Sequence, residues 1–278
     1  MSVDVRERDG RAGRPASPAA LSLSIVIPCF NEAGRIRATL DEIIAWARSR
    51  NRSVEIIVVD DASSDATSAV VSESIGEVPH SRLVRLERNA GKGGTVRAGM
   101  AVARGRRRGF VDADGAVPFE EIERLEAALD GGADIAIGSR VLDPTLVDAR
   151  LHRRFFGFFF RWLVWALMVR TVRDTQCGFK LFQAASADAL LARQLTAGYA
   201  FDVELLGRAE RLGLRIAEIP VRWREKPGSK VRVVRDGLAM AADVVRLRAR
   251  LGPPRSATGQ APTGRSRAAS GIADRARN

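Results

Sequence analysis

Asp112 and Asp114 stand one residue apart, directly after the apolar residues 109–111. Two carboxylates so spaced on backbone leaving a strand can face one hard cation, with phosphate oxygens of a substrate completing its shell. Asp-x-Asp-Gly also occurs in ordinary polar turns, so the pair alone does not establish a metal. An EF-hand loop is excluded, because Ala116 and Val117 break its ligand spacing. Asp60 and Asp61 follow a second apolar run, residues 55–59, where a carboxylate can accept from a base N–H or a ribose hydroxyl. Asn89-Ala-Gly-Lys-Gly-Gly-Thr95 is a glycine-rich turn carrying Lys92 ahead of a helix, a setting that suits an anion. It is neither a dinucleotide fingerprint, since the first strand has no glycines after it, nor a Walker A loop, since Gly93 follows Lys92.

These residues need a scaffold, and the pattern supplies one. Residues 23–28, 55–59, 83–86, 109–111 and 135–138 read as buried strands. Residues 35–48 and 95–103 have helical spacing, and Ser64 or Asp65 is placed to cap another helix. Alternating strands and helices predict an α/β fold, with a largely parallel sheet covered on both faces. In such sheets ligands gather at the carboxyl ends of strands. Pro28, Asp60, Asp61, Asp112, Asp114, Ser139 and Arg140 all fall there.

The net charge of +12 is spread unevenly. After residue 252 five arginines face Asp274, and the first 20 residues hold four arginines against three acids, leaving +7 for the core. Residues 1–20 and 253–278 have no apolar period and are expected to be disordered flanks of a domain over 21–252. A basic core admits nucleic acid, anionic lipid or a phosphorylated substrate. Residues 104–108, Arg-Gly-Arg-Arg-Arg, keep a nucleic-acid binder open, although the aromatics are not interleaved with basic residues. Cys29 and Cys177 are the only cysteines, giving neither a disulfide framework nor a metal spacing, and so a reducing compartment. No stretch reaches 18 uncharged apolar residues, and the first residues lack the apolar run of a signal peptide.

Residues 150–172 come nearest to a span. On a helix Arg150, Arg154 and Arg161 fall within about 40° of one line. Phe155, Phe156, Phe158, Phe159, Phe160, Trp162, Leu163, Trp165 and Leu167 cover nearly everything else. A spanning helix would not keep Arg161 at its middle, and a soluble surface helix would have a broader polar face. An amphipathic helix lying in the headgroup region satisfies both facts, with a core helix or a dimer contact as the alternatives.

Eight motifs in order carry a resemblance. Ser24-Ile-Val-Ile-Pro-Cys-Phe-Asn-Glu32, Val59-Asp-Asp-Ala-Ser-Ser-Asp65, Asn89 to Gly99 and Asp112-Ala-Asp114 resemble the family 2 inverting glycosyltransferases of GT-A fold. Gly138-Ser-Arg140, Asp174-Thr-Gln-Cys-Gly-Phe-Lys-Leu-Phe182, Phe201-Asp-Val-Glu-Leu-Leu206 and Pro227-Gly-Ser-Lys230 are similar to the polyprenyl- or dolichyl-phosphate glucosyltransferase branch. The resemblance implies that Pro28, Asn31, Glu32, Asp60 and Asp61 surround the nucleoside, with Lys92 on the donor side. It implies that Asp112 and Asp114 hold Mg²⁺ or Mn²⁺ on the diphosphate, and that Arg140 meets the acceptor phosphate. Beside it, Ser139, Arg153 and Arg154 are expected to join Arg140, and Asp202 and Glu204 either orient sugar hydroxyls or stiffen the site. Where related mannosyltransferases carry a Gln in the metal shell this chain has Ala116. UDP-glucose is therefore the expected donor, with GDP-mannose as the alternative. The expected enzyme sits peripherally on the cytoplasmic face of the plasma membrane. A non-catalytic membrane scaffold is disfavoured by the intact Asp112, Asp114 and Lys92.

Overall fold

The computed structural model describes residues 21–148, 160–226 and 233–253. Seven strands form one sheet in the order β3-β2-β1-β4-β7-β5-β8. They are β1 (Leu23–Cys29), β2 (Val54–Asp60), β3 (Ser81–Arg85), β4 (Arg107–Val111), β5 (Ile135–Ser139), β7 (Phe179–Gln183) and β8 (Ile216–Pro220). β7 runs antiparallel to both β4 and β5, and the other pairings are parallel. A short parallel pair, β6 (Val147–Asp148) with β9 (Trp223–Arg224), lies apart from the main sheet. The helices are α1 (Ile36–Ser49), α2 (Thr67–Ile75), α3 (Gly91–Val102), α4 (Ile122–Asp130), α5 (160–167), α6 (Ala184–Leu191), α7 (Phe201–Leu212) and α8 (Val233–Leu251).

Strand alternation divides the core in two. Ile25, Ile27, Ile56 and Val58 point to the face covered by α1, α2 and α4, through Ile36, Leu40, Val71 and Leu125. Val26, Ile57, Val59 and Phe110 point to the other face, under Val96 and Met100 of α3, Val164 of α5, and Val203 and Leu206 of α7. From β1 the chain passes to β2 and β3 on one side and then crosses to β4 on the other. That reversal opens a crevice beyond the carboxyl ends of β1 and β4, the natural ligand position in an open α/β sheet.

Two expectations are adjusted. α3 begins at Gly91 rather than Thr95, because Gly93 and Gly94 are part of its first turn. The helix expected over 150–172 is described from 160 and ends at 167, and its earlier part, with Arg153 and Arg154, lies outside the described residues. It ends because carboxylates take over its backbone donors. The N–H groups of Arg170 and Thr171 donate to Glu210 (2.8 and 2.7 Å), and those of Arg173 and Asp174 to Glu218 (2.9 and 2.8 Å).

Candidate active site

β4 stops at Val111 and delivers Asp112 and Asp114 to the crevice. Asp112 is fixed from three sides. Its N–H donates to Gly178 O (3.0 Å), its Oδ1 meets Lys92 Nζ at 2.6 Å, and its carboxylate fills the space where Gly178 lacks a Cβ. Asp114 Oδ1 accepts from Ala116 N–H (3.1 Å), which closes the turn, and Gly115 takes φ 61°, where a side chain would press on Thr39. Burial and the Asp112 carboxylate raise the pKa of Asp114, against the Ala116 N–H and the charges of Arg35 and Lys92. Burial opposes the charge of Lys92, but Asp112, Asp202 and Asp114 outweigh it and hold its pKa above the ordinary lysine value. Lys92 is therefore a permanent cation beside two carboxylates.

The glycine-rich turn before α3 has a different task from the one its sequence suggests. Ala90 and Gly91 donate their N–H groups to Asp61 (2.6 and 3.0 Å), and Gly93 and Gly94 donate theirs to Ala197 O (2.7 and 3.2 Å). These four N–H groups of the helix start are thus spent inside the protein rather than left for a phosphate. The glycines are there for close packing: a Cβ on Gly93 would lie 2.6 Å from Thr196 O and from Phe201 Cβ. Only the Lys92 side chain carries the turn's charge to the crevice.

The residues expected around a nucleoside do come together. Asn31, at φ 53°, donates its N–H to Ser63 Oγ (2.8 Å), and its Oδ1 accepts from the N–H of Ser64 (2.8 Å) and of Asp65 (3.3 Å). Glu32 forks onto Arg35 with two 2.7 Å bonds. Asp60 is fully buried, accepting from Ser63 N–H and Ser68 Oγ, and Asp61 is nearly so. Pro28 is half-buried at the end of β1. Asp61 is thereby committed to holding the glycine turn.

Across the crevice β5 ends at Ser139 and presents Arg140. Ser139 is fully buried and its Oγ accepts from the N–H of Val141 and Leu142, so it shapes the turn and does not face a ligand. Arg140 lies against the ring of Trp223 and is gripped by Asp174, with Nε to Oδ2 and Nη2 to Oδ1 both at 2.8 Å. Its own N–H also donates to Asp174 Oδ2 (2.9 Å). Burial opposes ionisation of Asp174, but Arg140 prevails and holds its pKa down at about 2. Asp112, Ala116, Arg140, Gly178 and Trp223 line one small cleft, so the Asp112 carboxylate and the Arg140 guanidinium face a common space. Antiparallel β7 brings Asp174 and Gly178 there. The segment before it enters at the carboxyl edge of the sheet, where its neighbours end.

Asp202 is placed differently from the catalytic role expected of it. It is 2 % exposed and its Oδ1 accepts from Lys180 Nζ at 2.6 Å, making it the counter-ion of a buried lysine. Burial raises its pKa although Lys180 and Lys92 pull the other way. Lys180 also donates to Cys177 O (2.6 Å), so the pair braces the strand start that carries Gly178. Glu204, fully buried, accepts from the N–H of Leu195 and Thr196 and pairs with Arg208. It stiffens the segment that in turn receives the N–H groups of α3. Sequence reasoning gave Asp174, Gly178 and Lys180 no role, although all three lie in one quoted motif. The buried side-chain nitrogen of Gln176 in that motif has no partner among the described residues.

The basic run at 104–108 is absorbed by the fold. Arg104 pairs with Glu55, Arg107 with Glu126 and Asp130, and Arg108 with Asp188. Only Arg106 of the four is left out of these ion pairs.

Residues 24–194 match the family model described as glycosyl transferase family 2. The chain is 42 % identical over 247 residues to the dolichyl-phosphate beta-glucosyltransferase of Drosophila melanogaster, covering 81 % of this chain and 74 % of that protein. It is 38 % identical to the Homo sapiens enzyme of the same name, over 82 % and 75 % of the two chains. Among solved structures, the glucosyl-3-phosphoglycerate synthase of Mycobacterium tuberculosis, crystallised with Mn²⁺, UDP and glucosyl-3-phosphoglycerate, aligns with a TM-score of 0.62. That alignment covers 86 % of this chain and 82 % of the synthase at 24 % identity, a likeness of fold. The switch-point crevice and its acidic pair thus sit in a chain that belongs to glycosyl transferase family 2.

Proposed function

We propose that this glycosyltransferase moves glucose from UDP-glucose to a membrane polyprenyl phosphate of the dolichyl type, with inversion at the anomeric carbon. One observation carries the reading: Asp112, paired with Lys92, and Arg140, paired with Asp174, both line a single cleft. The first group suits a nucleoside diphosphate and its cation, the second a phosphate nucleophile. The relatives' names supply the donor sugar and the acceptor class.

A phosphate monoester is already anionic at neutral pH, so it needs no general base. Among the described residues no histidine lines the cleft. His80, the one histidine among the described residues, lies before β3 at the opposite edge of the sheet. Asp112 and Asp114 fit a hard cation such as Mg²⁺ or Mn²⁺. They are two carboxylates with no third acidic, His or Cys ligand grouped with them among the described residues, which leaves positions for diphosphate oxygens and water. When bound, such an ion neutralises charge on the departing diphosphate. Lys92 adds a fixed cation there at no cost of reorganisation, while Arg140 holds the incoming phosphate in line.

The described residues contain no helix long and apolar enough to cross a membrane. α5 instead exposes Trp162 and Trp165, at 55 % and 52 %, while Val164 and Met168 are buried in the core. This supports peripheral attachment through α5, on the cytoplasmic face of the plasma membrane where nucleotide-sugar is supplied. The flanks 1–20 and 253–278 lie outside the catalytic unit in this reading. Incubating the protein with labelled UDP-glucose, or with GDP-mannose at matched concentration, and polyprenyl phosphate tests it. A glucosyl lipid is expected. A mannosyl lipid alone overturns the donor, and no lipid product from either donor overturns the acceptor.

A further inference from the structure

We propose that Lys92 keeps the Asp112 carboxylate closed to a divalent cation until a nucleoside diphosphate takes its ammonium, so that metal and nucleotide enter together. The inference rests on the donor side of the reading above and adds the order in which that side assembles. Lys92 Nζ stands 2.6 Å from Asp112 Oδ1, a charge-assisted contact on the carboxylate that a cation would share with Asp114. Asp112 is presented to it by the backbone, through its N–H on Gly178 O (3.0 Å).

Asp112, Asp114 and the Lys92 ammonium leave a single negative charge between them. A divalent cation added alone would make the group positive, beside a lysine side chain only 19 % exposed. Like charges repel strongly where water screens them little. A nucleoside diphosphate removes the conflict, because its oxygens accept from the ammonium and complete a cation's shell. The turn has little else to offer that anion. The N–H groups of Ala90, Gly91, Gly93 and Gly94 are held by Asp61 and Ala197, so the turn meets a diphosphate chiefly through Lys92 Nζ. One ammonium thus answers to two anions, first Asp112 and then the diphosphate. The start of α3 is packed too tightly to follow, since a Cβ on Gly93 would lie 2.6 Å from Thr196 O, and the flexible lysine stem makes the exchange alone. The exchange is complete once the donor has bound, so Lys92 is already in place when the diphosphate departs.

The test reads Mn²⁺ binding by electron paramagnetic resonance, with and without saturating UDP, so that no turnover is needed. Lys92→Met keeps the apolar stem and should bind Mn²⁺ alone about tenfold more tightly than wild type. The gain in Mn²⁺ affinity on adding UDP should shrink by at least the same factor. Lys92→Arg keeps the charge and should stay near wild type in both measurements. Lys92→Gln, which removes the charge but keeps a hydrogen-bond donor, should behave as Lys92→Met and replaces it if that variant fails to fold. Mn²⁺ affinity in Lys92→Met or Lys92→Gln at or below the wild-type value, without UDP, overturns the proposal. An undiminished gain from UDP in these variants overturns it as well. GDP in place of UDP separates the proposal from the donor: if GDP alone draws Mn²⁺ in, and Lys92→Met reduces that gain, the role of Lys92 stands and the assigned donor falls. Equal Mn²⁺ binding by Asp114→Ala and wild type overturns the metal position, and the proposal with it.

Discussion

Gly178→Ala isolates the position of one carboxylate from everything else in the fold. The Cβ of an alanine there would fall inside the Asp112 carboxylate. Gly178 is outside the left-handed region, so the backbone accepts alanine without strain. Asp112 keeps 38 % of its side chain exposed and can swing outward, so relief comes from the carboxylate rather than from the core. A swing of about 1 Å takes a bond of charge-assisted length beyond hydrogen-bond range. The 2.6 Å contact between Lys92 Nζ and Asp112 Oδ1 is then lost. A reacting group misplaced by 1 Å costs about 10²-fold in rate, or about 2.7 kcal/mol of transition-state stabilisation. Gly138→Ala is the control, because its Cβ would press at 3.1 Å on Cys177 Sγ and Val221 without touching a site group. It should cost about 1 kcal/mol of stability and little activity. The assay is kcat/KM for UDP-glucose beside a thermal melt, with divalent metal titrated for each variant. Gly178→Ala should melt near wild type, turn over about a hundredfold more slowly and need more metal. Activity within twofold of wild type would refute the placement of Asp112, as would a loss that follows the melting temperature.

Three further outcomes follow from the same geometry. Asp114→Ala should lower transfer by about a thousandfold with the melt unchanged, and EDTA should silence wild type; full activity in EDTA would remove the metal from the site. Asp174 has a depressed folded pKa of about 2, so its stabilisation is complete above the unfolded value of 3.8 and disappears as pH falls through 2. Chemical denaturation from pH 5 downward should show roughly 2 kcal/mol lost across that window in wild type and absent in Asp174→Asn, and identical profiles would contradict the Arg140–Asp174 clamp. Trp162→Glu with Trp165→Glu should shift the protein from the membrane pellet to the supernatant. Turnover on a long-chain acceptor should then fall more than on a short soluble one, and equal loss on both would assign α5 to the folded core alone.

Legibility in the sequence followed the range of the contacts. Asp60, Asp112 and Arg140 were readable because each closes an apolar run, and a run of that kind announces both its strand and its carboxyl end. The partners that fix them were not. Arg140 depends on Asp174, 34 residues away, across a stretch that contains α5. The strand that brings Asp174 back, Phe179–Gln183, is a short apolar run whose composition reads the same in either direction. Its antiparallel insertion between β4 and β5 is a property of the assembled sheet.

The glycine turn and Lys180 show how a local pattern can carry the right residues and the wrong reason. Asn89-Ala-Gly-Lys-Gly-Gly-Thr95 looks like an anion cradle because free N–H groups at a helix start are the usual anion ligands. The structure gives those N–H groups to Asp61 and Ala197, and leaves Lys92 alone to act on the crevice. A lysine inside an apolar run ordinarily marks a solvent face, yet Lys180 is 1 % exposed. It is tolerable there only because Asp202 and the Cys177 carbonyl satisfy its charge. That buried pair fixes the chain just before Gly178, against which Asp112 rests, and Lys92 feels the Asp202 charge from the other side. Asp202 is therefore linked to Asp112 through Lys180 and Gly178, and to Lys92 through charge. No spacing rule reads such a role, because it exists only once α7, β7 and β4 have packed together.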